Sequence, residues 1–530
     1  MWMQPATQAT NMVATVPPPL GGINAVDSLA NMPETDAVSM LNWWPQPYGL
    51  ATRKGYTAHA SGMPDAVDSL AVYSAVDGNQ KLFAWSNTGM YDVTTSGAVG
   101  APIVTGLANS FWQSVQLVNS AGTHLLAVNG SGDNGIRYDA AGINRITVGT
   151  GAGQWSGLDP TKAIQLTVHQ HRLWGVEINT TKGWYLPPDA IQGTFASFDF
   201  GPLFSRGGYL AFLTTWTIDD GNGAEDHLVA VSSEGEAAVY GGTDPSSDTQ
   251  WKIVGVYYIG APVSGRRSYV KVGGDLTILT QAGVVSMASQ LLSTKVENPS
   301  ISIKTTKIQF LISDLVATYS DLPGWTLNYF PAINMLLLNV PSVTSGGNMQ
   351  FASNQIIPSE PWTTFLGMDA ASWVGYNSVP MFGDYAGNVW TAWNGWADKA
   401  DVTGAGGTTI TAQVQQAFSY MNKPALQKQI GMYRGNFITS APVTGASVID
   451  YDFNLSPIGS PITAPPPASD SLWDAGLWDI AKWGGGVSNL AVWRMASGIG
   501  VAAAVRLAIE ASGEILWVST DYSYKTGGIL

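Results

Sequence analysis

The amino-acid sequence predicts an all-β protein with three parts: an extended N-terminal arm, a β-propeller of six or seven blades and a C-terminal β-sandwich-like domain. Three observations favour this fold. Short alternating apolar strands recur around glycine turns, the 530 residues include 60 Gly and 29 Pro, and the best helix candidate is a single short segment. A chain of this length exceeds one ordinary core, so several domains are expected.

Residues 1–62 are predicted to form the extended arm. Three prolines at 17–19, followed by two glycines at 21–22, disfavour both regular helix and regular sheet. The arm also carries Trp43, Trp44 and Tyr48. Large aromatic side chains in a proline-rich arm suggest that the arm packs onto another surface, and we assign these three as candidate interface residues.

The propeller is predicted over residues 63–400, where a strand–turn–strand unit recurs. The turn glycines of these units are Gly89, Gly135, Gly183, Gly235, Gly283, Gly347 and Gly387. A repeat of roughly 40–50 residues with this content is typical of a propeller. One four-stranded blade cannot bury both of its faces alone, whereas a closed ring of blades can.

The longest interval between these glycines contains the helix candidate, near residues 305–322. Ile308, Ile312 and Val316 fall at helical spacing, and Pro323-Gly324 should end the helix. We interpret this segment as a helical insertion beside the ring.

Residues 401–530 are predicted to form the C-terminal all-β domain. Five segments have the pattern of strands, which favours a sandwich: 408–418, 429–439, 447–453, 501–509 and 515–522. Trp473, Trp478 and Trp483 are spaced by five residues, which fits neither one helix face nor one strand face. We assign them as candidate interface anchors on the sandwich or on a neighbouring copy; aromatic platforms for sugars are the alternative.

Charged residues make up only 12% of the chain, about half of the roughly 25% found in typical soluble domains. A surface so poor in charge is usually buried in an assembly. The net charge of −14 argues against tight nucleic-acid binding, which needs clustered Lys and Arg, but suits a channel wall along which DNA slides without adhering. The absence of Cys excludes disulfides, thiolate metal sites and Cys nucleophiles. Neither a signal peptide nor a membrane span is predicted.

Three polar motifs are candidate binding sites. His169 and His171 would share one face of a strand and could begin a metal site, but no third ligand can be named. The loop 219–226 is rich in oxygen ligands but lacks the EF-hand spacing. The turn 131–138 resembles the Asp-box of sialidase-like propellers, which is itself a structural motif. We therefore assign no catalytic residue, metal ligand or cofactor, and we predict a non-enzymatic protein.

The layout of the chain resembles a known family. It combines Leu20-Gly21-Gly22-Ile23-Asn24, the stretch 49–55, the strand Met335–Val340 with a downstream Pro361-Trp362, and the Trp-rich segment near the C-terminus. This layout resembles the tail nozzle, or packaged-DNA-stabilisation (tail hub), proteins of short-tailed bacteriophages.

The resemblance implies a structural protein of the virion tail that is synthesised in the host cytoplasm. It implies a homohexameric ring below the portal and adaptor proteins, which extends the DNA channel, retains packaged DNA until ejection and anchors tail fibre or needle proteins. Double-stranded DNA would pass through the channel without sequence-specific binding. The resemblance identifies no individual channel or gate residue.

Two other functions fit the same fold. A carbohydrate-binding or carbohydrate-active propeller would be a monomer or small oligomer, with a pocket on the propeller axis and affinity for glycans. A general propeller scaffold would instead bind protein partners.

Overall fold

The computed structural model describes residues 11–219, 224–263, 267–291, 303–343, 347–440, 442–456, 460–463 and 488–529. Contacts within the chain define two compact units. The propeller unit comprises Ala58–Gln350 and Met368–Ala392, and the sandwich unit comprises Met1–Thr57, Phe351–Gly367 and Trp393–Leu530. The predicted boundaries at 62/63 and 400/401 are therefore corrected, because the N-terminal arm belongs to the same unit as the C-terminal domain.

Strands dominate both units. The N-terminal segment forms β1 (Met12–Val16), β2 (Ala37–Leu41), β3 (Trp43–Gln46) and β4 (Gly49–Thr52). The chain then enters the propeller unit through β5 (Tyr56–Ser61).

The described part of the propeller unit contains seven blades in chain order. Blade 1 is formed by β6 (Val67–Ser74), β7 (Gln80–Ser86) and β8 (Gly89–Asp92), and is followed by β9 (Gly97–Ala98). Blade 2 contains β10 (Gln113–Asn119), β11 (Gly122–Val128), β12 (Gly135–Asp139), β13 (Gly142–Val148) and β14 (Gln154–Ser156). Blade 3 contains β15 (Ala163–His169), β16 (Arg172–Glu177), β17 (Lys182–Tyr185) and β19 (Ala196–Asp199), with β18 (Gly193–Thr194) pairing with β14.

Blade 4 contains β20 (Leu210–Asp219), β21 (Ala224–Ser232), β22 (Glu236–Gly242) and β23 (Trp251–Tyr258). Blade 5 contains β24 (Tyr269–Val272), β25 (Asp275–Thr280) and β26 (Gly283–Ser286). Blade 6 begins with β27 (Thr326–Phe330) and β28 (Met335–Val340), after which the chain forms β29 (Met349–Asn354) and β30 (Trp362–Phe365). Blade 7 contains β31 (Ala370–Tyr376), β32 (Val379–Asp384) and β33 (Val389–Ala392).

The seven blades close into a ring. Consecutive blades contact one another in chain order, through β20 and β25 between blades 4 and 5 and through their first strands elsewhere. Strand β31 of blade 7 contacts β6 of blade 1, which closes the ring. The N-terminal strand β5 completes blade 7 beside β33. The predicted all-β propeller is confirmed, and the described strands give seven blades.

The turn glycines mark the blades as expected. Each of the seven lies at, or within two residues of, the start of the third strand of a different blade. Gly235 illustrates why glycine is needed: its φ is +86°, and a Cβ atom there would lie 2.3 Å from the carbonyl carbon of Gly260.

The described helices lie between blades 5 and 6. They are α1 (Met287–Leu291) and α2 (Gln309–Tyr319), the latter preceded by a 3-10 turn at Thr306–Ile308. Two further 3-10 turns occupy Gly201–Leu203 and Pro331–Ile333. Helix α2 coincides with the predicted helical segment, and it buries Ile312 and Val316. Among the described residues, no helix is long and apolar enough to cross a membrane.

The sandwich unit consists of two sheets. Its C-terminal strands are β34 (Ala397–Asp398), β35 (Thr408–Gln416), β36 (Leu426–Thr439), β37 (Thr444–Tyr451), β38 (Ser460–Thr463), β39 (Ser488–Leu490), β40 (Arg494–Gly500), β41 (Ala503–Ala511) and β42 (Ile515–Ile529). The first sheet has the order β3-β4-β42-β36-β39, with β1 added to β42 and β40 added to β36. The second runs β30-β2-β35-β41-β37-β38, with β34 added to β35.

The apolar faces of the two sheets form the core of this unit. Strand β35 alternates, with Ile410, Ala412 and Val414 buried. The Tyr433 and Ser447 hydroxyls, one from each sheet, form a buried hydrogen bond of 2.7 Å. The five segments predicted as strands correspond to β35, β36, β37, β41 and β42.

Two of the three arm aromatics are core residues. Trp43 is fully buried and packs against Trp517, with 6.3 Å between ring centroids. Trp44 is 2% exposed and packs edge-on against Trp393 at 5.3 Å. Their assignment as interface residues is therefore corrected, since both side chains are covered by their own chain. Tyr48 is 65% exposed and remains available for contact.

Candidate functional site: the axial cavity of the propeller unit

A cavity of about 710 Å³ opens at one end of the propeller axis. It is lined by residues at or just before the first strands of several blades, including Asp68, Gln113, Ala211, Arg267 and Thr326. Loops between the second and third strands of blades 2 to 5 also line it, at Ser131, Asn179, Ser233 and Gln281. This arrangement follows from the fold, because the first strands of all blades surround the axis.

Arg267 links blades that are distant in the ring. It precedes β24 of blade 5, yet its Nη1 donates to the backbone oxygen of Asp68 at 2.9 Å, and its Nη2 donates to Ser69 Oγ at 2.6 Å. Nη2 also donates to the backbone oxygen of Trp112, between blades 1 and 2, at 2.5 Å. One guanidinium group therefore connects blade 5 to blade 1 and to the segment between blades 1 and 2. It can do so because its N–H donors are held in a fixed planar arrangement.

The carboxylate of Asp68 lies beside this network. Burial raises the pKa of Asp68 above its usual value, while a hydrogen bond from the Ser110 hydroxyl and the charge of Arg267 act in the opposite direction. The Ser110 backbone oxygen in turn accepts a hydrogen bond from Ser69 at 2.6 Å. The polar groups around Asp68 are thus engaged with one another, which is the arrangement of a structural brace.

Glutamine side chains join neighbouring blades at and near the cavity wall. Gln165 of blade 3 donates to the backbone oxygen of Leu213 in blade 4 at 2.7 Å and accepts from its backbone N–H at 3.1 Å. Gln113 makes the same pair of bonds to Leu166, at 3.0 and 2.8 Å. Each side-chain amide makes the pair of hydrogen bonds to the next blade that the backbone of a neighbouring strand would make.

The interior of the ring is filled at this level. Gln165 also donates to the hydroxyl of Tyr269 at 2.9 Å, which links blades 3 and 5. Burial raises the pKa of Tyr269 to about 12, and its ring stacks on Phe212 with 4.7 Å between centroids. The described centre of the propeller is therefore a packed core at this level.

The cavity also presents aromatic surface. Phe111 is 41% exposed and Tyr209 is 44% exposed, and both line the cavity. Asn179 and Gln281 add amide groups to the same wall. Aromatic faces with amides nearby can bind a polar ligand such as a sugar.

The structure corrects the expectation that His169 and His171 share one face of a strand. His169 ends β15 and is 2% exposed, whereas His171 lies in the turn that follows, with a side chain 79% exposed. Gln170 and His171 have φ of 49° and 58°, which is the backbone of a type I′ hairpin turn. The two imidazoles therefore do not share a strand face. Among the described residues, no group of three or more His, Asp or Glu side chains could hold a metal ion.

The Asp-box-like turn has a structural role. Asp133 Oδ2 accepts hydrogen bonds from the Ala108 backbone N–H at 2.8 Å and from Asn129 at 2.6 Å. Residues 220–223 of the predicted oxygen-rich loop lie outside the described residues, as do Trp473, Trp478 and Trp483.

Sequence reasoning missed the residues around the axis. Gln113 and Gln165 lie in the first strands of consecutive blades, so an alignment of the repeats against one another could have found them. Arg267 follows a second arginine, and such a doublet is a weak signal even in a chain with few charges. The partners of Arg267 across the axis come close to it only because the blades close into a ring.

Comparison with known proteins adds little to this description. No family model matches the chain, and no curated protein matches it. Among solved structures, it is similar to a complex of BBS1N with ARL6DN (TM-score 0.39, 9% identity, 64% of this chain and 98% of that chain). It is also similar to the β-propeller domain of Cps50 (Swd1) from Myceliophteria thermophila (0.37, 11%, 64% and 99%) and to YCF48 from Cyanidioschyzon merolae (0.34, 12%, 66% and 97%). Likenesses this low carry no information on activity or partners.

Proposed function

We propose that this protein is a structural component of a phage tail, a nozzle whose copies form a ring that extends the DNA channel. The observation that carries the proposal is the charge-poor surface. Only 12% of residues are charged, and many charges are used in internal pairs such as Arg53–Asp398, Arg434–Asp521 and Arg506–Asp450. A surface of this kind favours burial between subunits.

Exposed apolar side chains in both units support the same proposal. Val76 of the propeller unit is 78% exposed, and Met495 of the sandwich unit is 87% exposed. Because Gln165, Tyr269 and Phe212 fill the ring below the open end of the axis, the proposed DNA channel runs between copies of the chain. The net charge of −14 suits a channel wall that repels phosphate.

The proposal is tested by the protein composition and the DNA content of purified virions. We expect the protein in purified particles of the phage that encodes it, in a ring seen by cryo-electron microscopy between adaptor and fibres. Particles assembled without the protein should lose packaged DNA, measured as DNA per capsid. Absence of the protein from complete virions would overturn the proposal.

The axial cavity favours a second candidate function, glycan binding. The observation behind it is the pair of partly exposed rings, Phe111 and Tyr209, beside free cavity volume. Titration of the purified protein with a panel of bacterial-surface oligosaccharides would test it. We expect binding to be lost in Tyr209→Ala and kept in Tyr48→Ala, whose side chain is exposed in the other unit.

A further inference from the structure

The first sheet of the sandwich unit has two open edges within the described residues. Strand β1 pairs with β42 on one side, and β40 pairs with β36 on one side. No pairing of either strand with any other described strand is present. An open strand edge exposes a row of backbone N–H and C=O groups and is a template for another strand.

Neither edge carries the usual protection. Natural edge strands are commonly blocked by Lys, Pro or inward-pointing charges. Strand β1 reads Met-Val-Ala-Thr-Val and β40 reads Arg-Met-Ala-Ser-Gly-Ile-Gly, so the only charge in the two strands is Arg494 at the start of β40. Val13 is 62% exposed and Ile499 is 59% exposed.

The strand directions of the two edges are complementary. The pairs β1–β42, β42–β36 and β36–β40 are all antiparallel, so β1 and β40 run in opposite directions. If the β40 edge of one copy meets the β1 edge of another, the antiparallel sheet continues without interruption. Because the two edges differ, such contacts are head-to-tail and generate a ring when the rotation closes.

We propose that copies of this chain assemble by pairing β40 of one copy with β1 of the next. This inference deepens the proposed function, on which it rests, by naming the surface that joins the subunits.

The side-chain pattern selects a register. In β40 the odd-numbered Met495, Ser497 and Ile499 are exposed, while a Cβ on Gly498 would meet the Tyr451 ring. In β1, Val13 and Thr15 are exposed. Placing Ile499 opposite Val13 of the next copy also places Ser497 opposite Thr15, which pairs apolar with apolar and hydroxyl with hydroxyl.

The same register fits the inward face and the strand ends. Gly498 then lies opposite Ala14 of the next copy, and Gly500 lies opposite Met12. Both of these β1 side chains therefore face a glycine, which leaves room for them. Pro17 and Pro18 of the next copy fall at the start of β40, where their missing N–H groups end the ladder.

Cysteine cross-linking tests this pairing directly, since the chain contains no Cys. We expect a mixture of Val13→Cys and Ile499→Cys full-length proteins to form a disulfide-linked dimer under mild oxidation, because directly opposed Cβ atoms lie within disulfide range. Each variant alone should give no such dimer. A mixture of Val13→Cys with Ser497→Cys should cross-link far less, because that register is shifted by two residues.

A charge at the edge tests whether the pairing drives assembly. Ile499→Lys should lose the oligomer in native mass spectrometry while keeping the far-ultraviolet circular dichroism of the wild type. Val402→Lys is the matched control, because Val402 is 61% exposed but lies outside both edge strands, and it should retain the oligomer.

The outcomes separate this inference from the proposed function. If the protein is present as a ring in virions but the Val13–Ile499 cross-link does not form, the strand pairing is wrong and the nozzle proposal stands. If Ile499→Cys alone forms dimers, the contact is between identical edges and the head-to-tail proposal is overturned. If the protein is absent from virions yet the cross-link forms, self-assembly stands and its assignment to a tail does not.

Discussion

The two units build their β-structure from the chain in different ways. In the propeller unit each blade is formed mainly by consecutive residues, as in blade 4, which spans Leu210–Tyr258. In the sandwich unit strands pair across most of the chain, with Met12 opposite Tyr524 and Leu41 opposite Gln413. Local pairing leaves a repeat that can be read in the sequence, whereas long-range pairing leaves only the alternation of each strand.

Buried polar groups hold the distant parts together in both units. In the sandwich unit Arg53 is fully buried and forms a bidentate pair with Asp398, at 2.7 and 2.6 Å. Its Nη2 also donates to the Leu366 backbone oxygen at 2.6 Å. One side chain therefore joins the N-terminal, middle and C-terminal segments of this unit. In the propeller unit uncharged glutamines join adjacent blades, and Arg267 joins blade 5 to blade 1.

The largest expected effect is in the sandwich unit. Asp398→Ala leaves the Arg53 guanidinium buried without its counter-charge, so we expect a loss of about 3–5 kcal/mol in the free energy of unfolding. Because the three segments of this unit meet at Arg53, the loss should appear in its own transition and leave the propeller intact. Urea unfolding followed by hydrogen exchange and mass spectrometry would separate the two.

The exposed pair Lys162–Asp159, with side chains 59% and 32% exposed, gives the control. Lys162→Ala should change the free energy of unfolding by less than about 1 kcal/mol. If Asp398→Ala unfolds both units together, the two units are not independent in stability.

Acid should destabilise the propeller unit through His169, which belongs to that unit. Burial lowers the pKa of His169 from 6.5 to about 4, against the charge of Asp226 and with smaller contributions from His227 and Lys271. Between these pH values the unfolded chain binds the proton and the folded chain does not. Stability is therefore complete above pH 6.5 and falls by about 3 kcal/mol as the pH drops towards 4.

The measurement is the free energy of unfolding of the propeller unit at several pH values. His169→Gln should remove about 3 kcal/mol of the difference between pH 7 and pH 4. His171→Gln, at a side chain that is 79% exposed, is the matched histidine substitution. An unaltered pH dependence in His169→Gln would show that other groups account for acid sensitivity.

A smaller effect is expected at one junction between blades. Gln165→Leu leaves the N–H and C=O groups of Leu213 without their partner, at a cost of about 1–3 kcal/mol. Because the ring is closed, we expect this cost in the unfolding of the whole propeller unit. Gln250→Leu, at an exposed position, should cost little. Local exchange confined to blades 3 and 4 would instead indicate that blades unfold separately.

Much of the propeller unit could be predicted from its sequence. Each of the seven turn glycines marks the start of the third strand of one blade, and helix α2 falls where apolar residues have helical spacing. The arm was assigned wrongly because its prolines and glycines suggest an isolated extended segment. Trp43 and Trp44 pack against Trp517 and Trp393, which lie more than 300 residues away along the chain, and their own neighbours in the sequence give no sign of this.

The sequence by itself determined the β-rich composition, the repeat of the blades, the strand positions in the C-terminal domain and the scarcity of charge. Only the tertiary structure decided that the arm joins the sandwich, that Arg267 spans the propeller axis and that His171 turns away from His169. The physical reason is that alternation and turn chemistry act over a few residues, whereas the choice of a strand's partner depends on which distant surfaces are buried together.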